Sequence, residues 1–272
     1  MNLLRKVLRE GQYVFFGEYP QSLINKEVTV GSEAGADGYY LGSDGARYAK
    51  LIASPWGSKN KFSIGDNITE GKVYYFKVEP IKWRILEGGD EEAFILAELI
   101  LDNRRYNKSY LNTRNGVYAN NYKESEIRAW LNNEFYDTAF NDLQKQIILT
   151  TEVDNSLAST GDSRNPYVCA NTNDKIFLLS VAEARNVGYR FAINDSLNTG
   201  RGRLTSDYSR SKGACILNEA GSQYGNGAWW LRSPGYYISN LACHVGDDGY
   251  IYDYHVYDPY SGVVPALRIR LS

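Results

Sequence analysis

The chain reads as an α+β protein. Strand patterns lie at both ends and helical patterns occupy the middle, while neither a doubly wound strand–helix–strand alternation nor a repeat of fixed period runs through it. The 272 residues suit one large domain with an insertion. A chain of this length buries most of the surface its unfolded form exposes, so it needs neither a metal nor a disulfide to fold.

The elements follow in order. Gln12 to Phe16 form a first strand, followed by a turn at Gly17-Glu18-Tyr19-Pro20. From Asn25 to Gly71 the chain is rich in Gly, Ser, Asp and Asn. Within it, Tyr39-Tyr40-Leu41 and Tyr48 to Ile52 flank Ser43-Asp44-Gly45 as a hairpin, so residues 25–71 are expected to form a β-rich insertion. Three strands come next, Val73 to Val78, Ile81 to Leu86 and Ala93 to Leu96, punctuated by Pro80 and Gly88-Gly89. Ser125 caps a helix through Trp130 to Phe135, with Ile127, Trp130, Leu131 and Phe135 at core spacing. Asn141 to Leu149 is a second short helix, Asn155 to Asn173 a long loop, and Lys175 to Leu179 a buried strand. Ser180-Val181-Ala182-Glu183 has the spacing of a capping box and opens a helix of about two turns. Ala192 to Asn226 is polar and bears glycines. In Val263 to Leu271 apolar residues alternate with Arg268 and Arg270, a terminal strand with one buried face.

Composition narrows the function. The formal net charge of −2 gives no support for nucleic-acid or anionic-membrane partners. Cys169, Cys215 and Cys243 are far apart and odd in number, which argues against a disulfide framework and a structural zinc site. The stretch MNLLRKVLREGQYVFF has no apolar run long enough for a signal peptide, and no segment approaches a membrane span. The expected location is cytoplasmic or on a particle such as a virion.

Catalytic signatures are sparse. There is no H-E-x-x-H, C-x-x-C, Walker loop or dinucleotide fingerprint, and no cofactor or metal is expected. Gly200-Arg201-Gly202-Arg203 and Gly225-Asn226-Gly227 read as loop glycines. Asp247-Asp248-Gly249, with Asp253 and Asp258 nearby, matches no EF-hand and reads as a hairpin turn. The cysteines have no evident base beside them and read as inert thiols. Trp56, Trp83 and Trp130 read as core or partly buried aromatics. His244 and His255 fall in what looks like an exposed loop, which suits contact residues better than a triad.

That loop is the most unusual part of the chain. Gly235 to Gly262, GYYISNLACHVGDDGYIYDYHVYDPYSG, holds both histidines and seven tyrosines but no Lys, Arg, Glu, Gln, Met or Trp. Tyrosine among small polar residues is the composition of a paratope: rigid contact area with adaptable hydrogen bonding. Ala242, Val245, Ile251 and Val256 recur as small or apolar positions, as in a core-anchored scaffold with outward side chains. There is also a genetic pattern. Altering only the adenines of the Asn codon AAC reaches Tyr, His, Asp, Ser, Thr, Ile, Gly, Ala, Val, Leu, Pro, Phe, Cys and Arg. It cannot reach Lys, Glu, Gln, Met or Trp. Every residue of the block is reachable, where ordinary usage would place about four unreachable ones. The plainer alternative is that Tyr, Asp and Gly suit hairpin turns.

WWLRSP (Trp229 to Pro234), the Tyr-rich stretch and GVVPALRI (Gly262 to Ile269) together resemble a bacterial domain family of unassigned function. So do VFFGEYPQS (Val14 to Ser22), YYFKVEPIKWRIL (Tyr74 to Leu86), SEIRAWLNNEF (Ser125 to Phe135) and DKIFLLSVAEA (Asp174 to Ala184). That family is similar to the variable proteins of diversity-generating retroelements, in which a reverse transcriptase copies a template with errors at adenines and replaces the 3′ end of the target gene. The resemblance implies a C-type-lectin-like fold with paired N- and C-terminal strands. It also implies a non-catalytic role in binding a protein or other macromolecular ligand. By position it makes Trp229, Trp230, Arg232, Pro234, Ala242, Val245, Asp248, Gly249, Ile251, Val256, Gly262 and Pro265 fixed scaffold. The exposed variable residues would be Tyr236, Tyr237, Ser239, Asn240, His244, Asp247, Tyr250, Tyr252, Asp253, Tyr254, His255, Tyr257, Pro259, Tyr260 and Ser261. The lectin disulfides and the Glu-Pro-Asn or Gln-Pro-Asp sugar motif are absent. A formylglycine-generating type of enzyme on the same fold, and a module with one fixed partner, are the alternative readings.

Overall fold

A computed structural model describes residues 11–57, 60–112, 116–194, 200–216 and 224–271. The first ten residues, the start of the stretch read for a signal peptide, lie outside that description, as does part of the polar region 192–226. The architecture is mixed α+β, rich in strands with few and short helices.

The strands of the first half are β1 (Tyr13–Leu23), β2 (Val30–Ala34), β3 (Tyr40–Gly42), β4 (Arg47–Ile52), β5 (Val73–Gly88), β6 (Glu92–Ala97), β7 (Leu99–Ile100) and β8 (Asp102–Asn103). The helices are α1 (Glu126–Trp130), α2 (Tyr136–Ala139), α3 (Asp142–Lys145), α4 (Leu157–Thr160), α5 (Val181–Ala184) and α6 (Asp207–Ser211). Among them run β9 (Thr151–Val153), β10 (Thr172–Asp174) and β11 (Arg203–Thr205). The chain closes with β12 (Asn226–Gly227), β13 (Trp229–Pro234), β14 (Leu241–Val245), β15 (Ile251–His255), β16 (Gly262–Val263) and β17 (Ala266–Arg270).

The main sheet has seven strands and curls into a half-barrel. Long β5 is its axis. β1 runs antiparallel along one edge of β5, while β4 and β6 share the other edge. β3 and β2 extend the sheet beyond β4, and β17 extends it beyond β6. The hairpin expected around Ser43-Asp44-Gly45 is present as β3–β4. Three expectations need correction. Gly17 to Pro20 is not a turn, since β1 continues through it with register shifts on both sides of Glu18–Pro20. Val73 to Leu86 is one strand, not two. Pro80 lies between the stretch paired with β4 (Val73 to Lys77) and the stretch paired with β6 (from Trp83), where that edge of β5 needs no donor. The terminal strands β1 and β17 share the sheet but are not paired, because β5 and β6 stand between them.

Helical residues form as their local chemistry dictates, but in shorter pieces. The Ser125 side chain accepts from the Arg128 backbone N–H, and the helix continues from α1 through a π-helical turn, Leu131–Phe135, into α2. Ile127, Trp130, Leu131 and Phe135 are all buried against the sheet. Capping boxes open both α3 (Asn141 with Gln144) and α5 (Ser180 with Glu183), each a single turn. Lys175 to Leu179 is buried as expected from Ile176 onward, but it is not a strand. Phe177 alone makes a two-way backbone bridge to Ala266, and Leu179 O accepts from the Arg232 N–H.

Candidate functional site

The second large sheet is built from the unusual C-terminal block. Its order is β15–β14–β13–β16–β8. The block read as exposed loop contains two five-residue strands, β14 and β15, and both histidines lie in them, which corrects their placement. Its foundation is β13, where every residue from Trp229 to Pro234 is buried. Neighbours satisfy its polar groups: Trp229 Nε1 donates to Arg201 O at 3.2 Å and Trp230 Nε1 to Arg104 O at 2.8 Å. The Arg232 guanidinium donates to Leu178 O (2.7 Å) and pairs with Glu183 Oε2 (2.5 Å). Glu183 also completes the Ser180 capping box, so one carboxylate holds a helix start and a buried cation together.

On this foundation the β14–β15 hairpin turns at Asp247-Asp248-Gly249. Gly249 has φ +82°, its N–H donates to Gly246 O, and Asp248 accepts from the Tyr250 N–H and the Tyr252 hydroxyl (2.8 Å). The strands then sort the block by pleat. Ala242, Val245 and Val256 are fully buried, and Ile251 is half-buried. Gly262 and Pro265 are buried as well. Tyr236, Tyr237, Tyr250, Tyr252, Tyr254, Tyr257 and Tyr260 are exposed, from 36% at Tyr257 to 76% at Tyr237. Ser239, Asn240, Asp247, Asp253, His255 and Pro259 are half-buried.

Two residues expected at the surface are not there. Ser261 is 1% exposed and His244 is 8% exposed. His244 lies opposite Trp230 on one side and Tyr252 on the other, with its Nδ1 3.0 Å from Ser261 Oγ. Its ring stacks on Tyr254 with centroids 5.2 Å apart and planes 5° from parallel. Burial pushes its pKa down to about 4, only partly opposed by the Asp248 carboxylate. The imidazole is therefore a neutral platform under the tyrosines at neutral pH.

Ring contacts run from Tyr250 through Tyr252, His244, Tyr254 and His255 to Tyr257, with Tyr236–Tyr237 and Trp56–Tyr260 as separate pairs. Tyr250 stacks on Tyr252 (6.0 Å) and His255 on Tyr257 (5.1 Å), while Tyr236 meets Tyr237 edge-on (5.4 Å). Two aromatics from far upstream take part: Trp56 against Tyr260 (5.6 Å) and Tyr110 against Tyr257 (5.6 Å). Trp83 and Trp130 are core, but Trp56 is exposed. Nothing local in the sequence marks Trp56 or Tyr110 as neighbours of the block, because only the tertiary fold brings them there. The Tyr252 phenol is pushed up to about 12 by burial and by Asp248, so it stays a neutral donor and acceptor. Burial also raises the Asp258 carboxyl above its ordinary range, opposed by the Tyr260 N–H, His255 and Arg105.

The thiols are poorly disposed to nucleophilic chemistry. All three cysteines are free and half-buried. Burial raises the Cys169 pKa, and burial with Asp247 and Asp258 pushes Cys215 up to about 12. Among the described residues no group of three His, Cys, Asp or Glu side chains could hold a metal, and no helix is long and apolar enough to cross a membrane.

The family model for a domain of unknown function, DUF6273, matches residues 90–271, and the chain belongs to that family. No curated protein and no solved structure matches it.

Proposed function

We propose that this protein is a non-catalytic binding protein whose tyrosine-bearing hairpin meets a protein or other macromolecular ligand. We further propose that the hairpin is diversified by adenine-directed copying from a retroelement, on a single domain akin to the C-type-lectin-like variable proteins. One observation carries the reading: within a single 28-residue block, seven tyrosines are exposed while Ala242, Val245, Val256 and Gly262 are buried. Side chains can change at the exposed positions without touching the core. Exposed tyrosines on a rigid sheet lose little conformational freedom on binding and are typical interface anchors. The raised pKa values of Cys169 and Cys215 lend no support to those two thiols as oxidative nucleophiles.

The test is the DNA that flanks the gene. The expected finding is a near-copy of the segment encoding Trp229 to Ile269 beside a reverse transcriptase gene, differing only where the copy carries adenine. A flank without either would remove diversification from the proposal and leave a surface with one fixed partner.

A further inference from the structure

We infer that a second site, a cationic cleft beside the tyrosine surface, binds a small organic oxyanion through carboxylate or phosphate oxygens. The cleft holds about 590 Å³, a volume suited to a metabolite. It opens between β8, the start of α1 and the residue after α6, and Pro259 is the only residue of the tyrosine-rich block in its wall. Asn103 Nδ2 donates to both Lys212 O (3.0 Å) and Pro259 O (2.5 Å), which fixes that boundary. The other lining residues lie outside Gly235 to Gly262, so the cleft would stay constant while the hairpin varied.

Two features of the wall point to an anion. The first is charge. Four cations, Arg104, Arg105, Lys108 and Lys212, line the cleft against two carboxylates, Glu126 and Glu134. Lys212 is engaged by buried Asp102 (2.6 Å) and Arg104 by Glu134 (3.0 Å), while Lys108 reaches Glu126 only at 3.8 Å. Arg105 is exposed and has no ion pair among the described residues, although the half-buried Asp258 carboxyl feels its charge. A guanidinium left open at the mouth of a cleft is a ready partner for two oxygens of a carboxylate or phosphate. The second feature is unmet hydrogen bonding. Trp130 Nε1 and Arg104 Nε are buried donors without a partner, and both residues line the cleft. Trp130 is 7% exposed, and the Arg104 guanidinium covers its ring at 4.2 Å. Buried donors nearly always find acceptors in folded proteins. A small shift of the Arg104 side chain onto an incoming oxyanion would uncover the indole N–H and supply acceptors to both donors.

The experiment uses the full chain in a chloride buffer, titrated with tricarballylate in one arm and pyrophosphate in the other, with glucose as a neutral control. The readouts are the melting temperature and the Trp130 indole N–H resonance, assigned with W130F. A saturable shift in either arm is expected and names the oxygen source. It should weaken at least about tenfold in R105E and in K108E. Both side chains are exposed, so both variants are expected to melt like the parent. No saturable response in either arm, or an equal response in R105E and K108E, would overturn the site. Neither result depends on the tyrosines, so the two proposals fail separately.

Discussion

His244 shows how one residue can belong to a surface block and yet serve the core. Its imidazole is buried between Trp230, Ser261 and Tyr254, and its pKa stands near 4 against an ordinary 6.5. The folded state therefore refuses a proton that the unfolded chain accepts. The stability this confers is full above pH 6.5 and is lost as the pH falls from 6.5 toward 4, by about 3 kcal/mol if the whole shift is expressed. Urea denaturation at pH 7 and pH 4.5 should show this loss in the parent and a much smaller one in H244N. Equal pH dependence in both proteins would place the effect on the carboxylates. The sequence places His244 at the surface only if the whole tyrosine-rich block is an exposed loop, whereas it lies in β14 beside fully buried Val245. His244 shares its face of β14 with buried Ala242 two residues away, an alternation that a loop reading of the block conceals.

At the scale of elements, legibility followed range. The Ser125 cap and the Ser180–Glu183 capping box involve residues three apart, and both are present where the sequence indicated them. The Asp-Gly turn of the hairpin is likewise local. Pro80 misled because a proline breaks a strand only where its missing donor was needed, and the partner arrangement on β5 lies elsewhere in the chain. Strand β16 makes the same point energetically. It is two residues long, yet it joins β13 to β8 in the second sheet. A Cβ added to Gly262 would stand 2.1 Å from Ile100 Cγ2 and 3.1 Å from Asp102 O, so the approach requires glycine. G262A should cost about 1–3 kcal/mol by chemical denaturation, as overpacking does. A change within about 0.5 kcal/mol would mean that the strands relax apart without penalty.

For the whole molecule, the α+β class was legible from the placement of strand and helix patterns, and the pairing was not. The resemblance to lectin-like variable proteins implied paired terminal strands, but two strands separate them, and such non-local choices leave no trace in either segment. The proposed function requires a division between a constant core and a replaceable face, and this division can be measured. Consider a library that draws on the residues reachable from AAC by adenine changes at Tyr236, Tyr237, Tyr250, Tyr252, Tyr254, Tyr257 and Tyr260. Each position is exposed, and losing a ring pair there removes about 0.5–1.5 kcal/mol at most. Members changed at a single position should remain soluble and melt within about 5 °C of the parent, with larger shifts as ring pairs are lost together. The same alphabet applied to Trp230, Ala242, Val245 and Val256 should leave few folded members, because those side chains are fully buried and cavities or overpacking there cost several times more. His244 and Ser261 should behave like this second group, although the resemblance counts them among the variable residues. Soluble fraction and melting temperature, compared between the two libraries, decide the matter. If the tyrosine library unfolds as often as the core library, the aromatic surface is structural, and the binding function proposed for it does not stand.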